Sequence, residues 1–149
     1  MKRLWIIFLL VFWGATFFTY PAERKGLEIR YFGHSCFLIT STAGTKILTD
    51  PFGQMRYATP DVSPDAVTVS HEHFDHNNVG IAKGNPIVLR GLKSGGKEYN
   101  DINQAVKGVR FKTIRCYHDN IQGKSGRGLN TIFTIEMDSI VIAHCGDLG

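Results

Sequence analysis

Ala66-Val67-Thr68-Val69-Ser70-His71-Glu72-His73-Phe74-Asp75-His76-Asn77 is the stretch on which the reading of this chain turns. Four apolar or β-branched residues run straight into a polar burst. Three of the six histidines in the chain, with Asp75, fall within the six residues 71–76. A short strand that empties into such a loop supplies rigidity, and the loop supplies chemistry. Side chains alternate along extended backbone, so His71, His73 and Asp75 are expected to lean to one side. His76 is then expected to point elsewhere, unless the backbone turns. Four ligands this close crowd a single tetrahedral ion and suit two adjacent ions, each completed by residues farther along the chain. Imidazole and carboxylate without thiolate suit zinc, and iron or manganese is compatible. The rival zinc pattern His-Glu-x-x-His fails, because the required second histidine falls on Asp75. The plain alternative is a histidine-rich surface turn without metal, and clustering at this density directly after a strand weighs against it.

Working outward, strands are expected at Leu27–Gly33, Ser35–Ser41 and Lys46–Thr49, the last ended by Asp50-Pro51, since proline cannot continue a ladder. Asp65–Ser70 carries the central motif. Asn77–Lys83 reads as a short helix stopped by Gly84, and Pro86–Arg90 as a strand. Val109, Phe111 and Ile114 suggest a strand over Gly108–Cys116, leading into Tyr117-His118. Asn130–Ile135 and Ser139–Ala143 read as a hairpin around Met137-Asp138. Gly91–Asn100 and Asp119–Gly128 are glycine-rich loops. No internal repeat or low-complexity tract is present.

The 149 residues suffice for one domain with a real core. The formal net charge of +4 comes without a basic, aromatic-interleaved stripe, so nucleic-acid binding is not indicated. After Met1-Lys2-Arg3, no charged residue occurs from Leu4 to Ala22. Residues 1–22 therefore read as a signal peptide or a membrane anchor, with 23–26 as linker and the domain over 27–149. Tyr20 spoils the cleavage site before Glu23, which favours an uncleaved anchor. Lys2 and Arg3 would then stay cytoplasmic and the domain would face outside; cleavage would leave it secreted or periplasmic. Cys36, Cys116 and Cys145 stand singly, without metal-finger spacing, and read as small buried hydrophobes.

The His71-Glu72-His73-Phe74-Asp75-His76 run resembles the His-x-His-x-Asp-His signature of the metallo-β-lactamase superfamily. Tyr31–Ile39 and Lys46–Phe52 are similar to the opening strands of one branch, the predicted zinc-dependent hydrolases similar to ascorbate-phosphate lactonase. Tyr117-His118-Asp119 and Ile142–Gly149 resemble that branch's later metal motifs. The resemblance covers about residues 27–149. It implies an α/β (α+β) fold: the N-terminal part of an αββα sandwich, mostly antiparallel or mixed β with few helices, preceded by the N-terminal hydrophobic helix. It also implies that the chain is truncated, the family's last strands, helices and final histidine ligand lying beyond Gly149.

The same resemblance implies the site. His71, His73 and His118 would bind one zinc ion, Asp75 and His76 a second, and Asp147 would bridge them. Two close cations would make hydroxide available near neutral pH for attack on an ester, lactone or phosphoester. Asp75 would pass a proton to the leaving group. Asp50 is expected to orient a ligand histidine, while His34 reads as a substrate contact or a structural residue. His144 reads as packing or support, not as a ligand, and Cys145 is the one thiol near the metals. Lys124 and Arg127, in the last glycine-rich loop, would clamp an anionic group or simply be solvated. Two alternatives stand beside the hydrolase: a non-catalytic or truncated metal-binding module, and a nuclease of the same superfamily.

Overall fold

A computed structural model describes residues 26–149, so the anchor or signal peptide expected at 1–22 lies outside the described residues. The strands form two sheets. In the first, β1 (Glu28–Gly33), β2 (Cys36–Thr40) and β3 (Lys46–Thr49) are antiparallel neighbours. β4 (Ala66–Val69) and β5 (Ile87–Arg90) then join in parallel register. The second sheet is an antiparallel meander of β6 (Asn103–Val106), β7 (Val109–Tyr117), β8 (Leu129–Met137) and β9 (Ile140–His144).

The sheets bury a shared core. Ile39, Ile47, Ala66 and Leu89 of the first cluster with Val106, Val109, Phe111, Phe133, Ile135 and Met137 of the second. On the other face of the first sheet, Cys36, Leu48, Val67 and Val69 pack with Phe52 from the loop after β3. All four residues of β4 are therefore buried, which explains an uninterrupted apolar run instead of alternation. The β8–β9 turn is made by Asp138 and Ser139, both at positive φ (50° and 63°), as a tight hairpin demands. The Asp138 carboxylate also accepts hydrogen bonds from Thr42 N (2.8 Å) and Thr42 Oγ1 (2.6 Å), tying this turn to the first sheet.

Three expectations need correction. The helix at Asn77–Lys83 is only a 3-10 turn, Val79–Ile81. Val79, Gly80 and Ile81 are poor helix formers, and no α-helix occurs among the described residues. The two β layers of the expected αββα sandwich are thus present there, without the helical layers. Ile114 does not continue the inward face of Val109 and Phe111. It lies an odd number of residues from both and is 51% exposed, on the side of Arg110 and Lys112. Finally, β6 had no sequence signal: Asn103, Gln104 and Ala105 are exposed, and pairing with β7 holds this edge strand in place.

The topology gathers the polar segments at one end. The residues following β3, β4, β7 and β9, together with the β1–β2 turn, meet at the rim where the parallel strands end.

Candidate metal centre

Asp50 is the anchor of this rim. It follows β3, is fully buried, and sits at positive φ (35°). Its Oδ1 accepts from Ser70 N (2.7 Å) and its Oδ2 from Ser70 Oγ (2.6 Å) and His76 Nδ1 (2.8 Å). His144 Nε2 lies 3.0 Å from Oδ2 but has no in-line hydrogen bond. Burial pushes the Asp50 carboxyl upward. The close approach and charge of His144, with the hydrogen bond and charge of His76, outweigh it and hold the group well below the usual carboxylate range. Asp50 is therefore an anion, and every proton facing it belongs to a neighbour.

That fixes two tautomers. Ser70 Oγ spends its hydrogen on Asp50, so it accepts from His71 Nδ1 at 2.9 Å. His71 Nε2 is left with a free lone pair. His76 gives its Nδ1 hydrogen to Asp50, and its Nε2 lone pair is also free. One buried carboxylate thus presets two imidazoles of the loop after β4 as ligands. Burial first, then the charges of His76 and His73, push the His71 pKa down to about 4, so it is neutral at physiological pH.

The presented nitrogens fall into two groups. Ligand atoms of His71, His73 and His118 lie within 4.8 Å of one another, as do those of His34, His76 and Asp147. His71 Nε2 faces His73 Nδ1 at 3.0 Å. His76 Nε2 faces His34 Nε2 at 3.0 Å and Asp147 Oδ1 at 3.2 Å. Asp147 Oδ2 lies 3.0 Å from His118 Nε2, so each oxygen of this carboxylate addresses one group. A lone pair on His76 Nε2 opposing a carboxylate oxygen is repulsive unless a cation or a proton lies between them. The donor set fits divalent metal ions: five convergent imidazoles, two of them buried, one carboxylate shared by both groups, and supporting hydrogen bonds behind His71 and His76. Protonation of His76 is the competing solution. Burial lowers its pKa, but the bond to Asp50 and the charges of Asp50, Asp147 and Asp75 raise it overall.

Several residues stand elsewhere than the sequence predicts. The backbone turns after Ser70, with His76 N bonded to His73 O at 3.0 Å, so alternation does not extend through the motif. His76 consequently points inward and is fully buried. Asp75 leaves the side of His71 and His73, and its Oδ2 lies 3.3 Å from His34 Nε2. His34 enters the second group directly, rather than standing outside it. Gly33 (φ 121°) and His34 (φ 52°) both take left-handed backbone at the β1–β2 turn, which aims the imidazole inward. The only sequence hint was a Gly-His pair between two strands. His144 is buried against Phe37, in neither group. Of the thiols, Cys36 alone is fully buried, and burial with the Asp50 charge pushes it up to about 12. Cys145 is exposed and belongs to neither group, which corrects its reading as a buried hydrophobe.

A family model for the beta-lactamase superfamily domain matches residues 28–149. The chain belongs to this superfamily. Among curated relatives, a UPF0173 metal-dependent hydrolase of Pyrobaculum arsenaticum is 38% identical over 139 residues, covering 81% of this chain and 61% of the relative. One from Methanospirillum hungatei is 31% identical over 140 residues, covering 83% and 60%. A solved metallo-beta-lactamase superfamily structure from Thermotoga maritima is 33% identical with a TM-score of 0.59, covering 83% of this chain and 50% of that one. A Parabacteroides distasonis structure, at 17% identity and TM-score 0.63, shares the fold. The chain thus spans about 60% of the length of the curated superfamily members it matches.

Proposed function

We propose that this superfamily member is a metal-dependent hydrolase acting on an ester, lactone or phosphoester. The observation that carries the reading is the pair of ligand groups joined by the two oxygens of Asp147. His71, His73 and His118 would hold one ion, and His34, His76 and Asp147, with Asp75 beside them, would hold the other; Asp147 has its second oxygen towards His118. Zinc suits these ligands, and divalent ions in such a site lower the pKa of water and polarise the scissile oxygen.

The chain's own residues do the rest. Asp50 and Ser70 hold His71 and His76 in the ligating tautomer. Asp75, only partly buried at the mouth, has an oxygen free to hold a proton destined for the leaving group. The uncharged stretch Leu4–Ala22 supports a further part of the proposal: a domain anchored at, or secreted across, a membrane.

The test is metal removal. The zinc-loaded chain is expected to hydrolyse at least one member of a panel of esters, lactones and phosphodiesters. Exhaustive chelation is expected to abolish that turnover and zinc to restore it. Turnover that survives metal removal contradicts the reading. A chain that binds zinc yet turns over nothing on the panel is a metal-binding module instead.

A further inference from the structure

We propose that Arg127 is an anion-binding residue of this site, so that the substrate carries a carboxylate or phosphate beside its scissile bond. The inference rests on the hydrolase reading for the word substrate, and on geometry alone for the anion site.

The loop between β7 and β8 is rich in glycine, but it is not loose. The Asp119 carboxylate organises it from within. Oδ1 accepts from Ile121 N (3.0 Å) and Gly123 N (2.6 Å), while Oδ2 accepts from Ser125 N (2.9 Å) and also from Ser125 Oγ. The loop's two ends are pinned as well. His118 N donates to Gly128 O at 3.2 Å, and Gly123 packs against the Tyr117 ring. A fixed frame therefore presents Arg127, whose own N–H reaches back to Ser125 Oγ at 3.4 Å.

Arg127 lines a cleft of about 260 Å³ with His118, Gly146 and Asp147, two of which belong to the metal centre. Among the described residues, no carboxylate lies within ion-pair distance of its guanidinium. On the neighbouring strand β7, Arg115 is paired with Asp101, while Arg110 reaches only the Asn103 amide oxygen. A guanidinium without a carboxylate partner, carried on a hydrogen-bonded loop at the edge of this cleft, is placed to meet an anion entering beside the metal centre. Guanidinium also matches the flat, two-oxygen face of a carboxylate or phosphate. Lys124, the other cation of this loop, does not line the cleft, so the recognition is assigned to Arg127 alone.

The test uses the zinc-loaded chain and its Arg127→Ala and Arg127→Lys variants, with zinc content measured for each. The first probe is inorganic phosphate, titrated calorimetrically. The expected result is affinity at least tenfold weaker in Arg127→Ala and intermediate in Arg127→Lys, with unchanged zinc content. The second probe is a matched pair of lactones, one carrying a carboxylate and one neutral. A tenfold or larger rise in KM confined to the anionic member is expected in Arg127→Ala. Equal phosphate affinity in wild type and Arg127→Ala overturns the anion site, as does an equal loss on both lactones. Weaker phosphate binding in Arg127→Ala, with neither lactone turned over by wild type, upholds the anion site and counts against the hydrolase reading instead.

Discussion

Replacing Asp50 by alanine is expected to cost about 3–5 kcal/mol of folding stability, the range for removing one partner from a buried charged network. The substitution strands Ser70 N, Ser70 Oγ and His76 Nδ1, all at fully buried residues, without their acceptor. It also frees His71 and His76 to turn or to change tautomer. Zinc affinity is therefore expected to fall 10- to 100-fold at each position, the usual effect of losing a residue that orients a ligand. Urea unfolding of the chelated protein reads the first effect, and competitive zinc titration of the folded protein reads the second. Asp50→Asn keeps an acceptor for Ser70 and is expected to recover part of the stability while leaving zinc affinity low. A stability loss below about 1 kcal/mol with unchanged zinc affinity would show that Asp50 is merely buried, and that the ligands are oriented by something else.

Gly146→Ala is expected to damage both metal positions through a single methyl group. Gly146 has a left-handed backbone (φ 55°) between β9 and Asp147. A Cβ there would stand 2.5 Å from Ser70 Oγ and 2.6 Å from both Ser70 Cβ and Asn130 Oδ1. Ser70 cannot retreat without losing Asp50 and His71. Asn130 is fully buried and donates to Cys145 O at 2.7 Å, so it is held too. Strain and overpacking together are expected to cost about 2–4 kcal/mol and to displace Asp147 from one or both groups. Gly44→Ala is the control. Its φ is also left-handed (87°), but nothing lies within 4 Å of the added carbon. It is expected to cost about 1 kcal/mol and to leave zinc binding intact. Similar losses in the two variants would mean that backbone strain alone, and not the crowding of Ser70, makes position 146 sensitive.

Much of this was legible in the sequence, for reasons that can be named. The run 71–76 is contiguous and follows a strand buried on both faces, so its position at a strand end could be read without knowing the fold. Asp50 was legible as a carboxylate closing a neighbouring strand, because adjacent parallel strands deliver their C-terminal residues to one place. The number of its partners was not, since Ser70 and His144 are ordinary residues until the sheets assemble. His34 was the main omission from the ligand groups. Its direction is set by two consecutive left-handed residues, and periodicity carries no information about such a turn. The misplacement of Asp75 and His76 has the same origin. Alternation was carried past Ser70 into a segment that turns back on itself. Ile114 differs: it is apolar, but its odd spacing from Val109 and Phe111 puts it on the outward face, so hydrophobicity and position point opposite ways there.

The central claim is that this one chain presents two neighbouring cation positions, and that His34 serves one while His73 serves the other. Metal analysis of zinc-saturated wild type, His34→Ala and His73→Ala tests it most directly. The expected stoichiometry is two zinc ions per chain in wild type and one in each variant, with the double variant binding none tightly. Two ions retained by His34→Ala, or a wild type that binds a single ion lost equally in both variants, would contradict it.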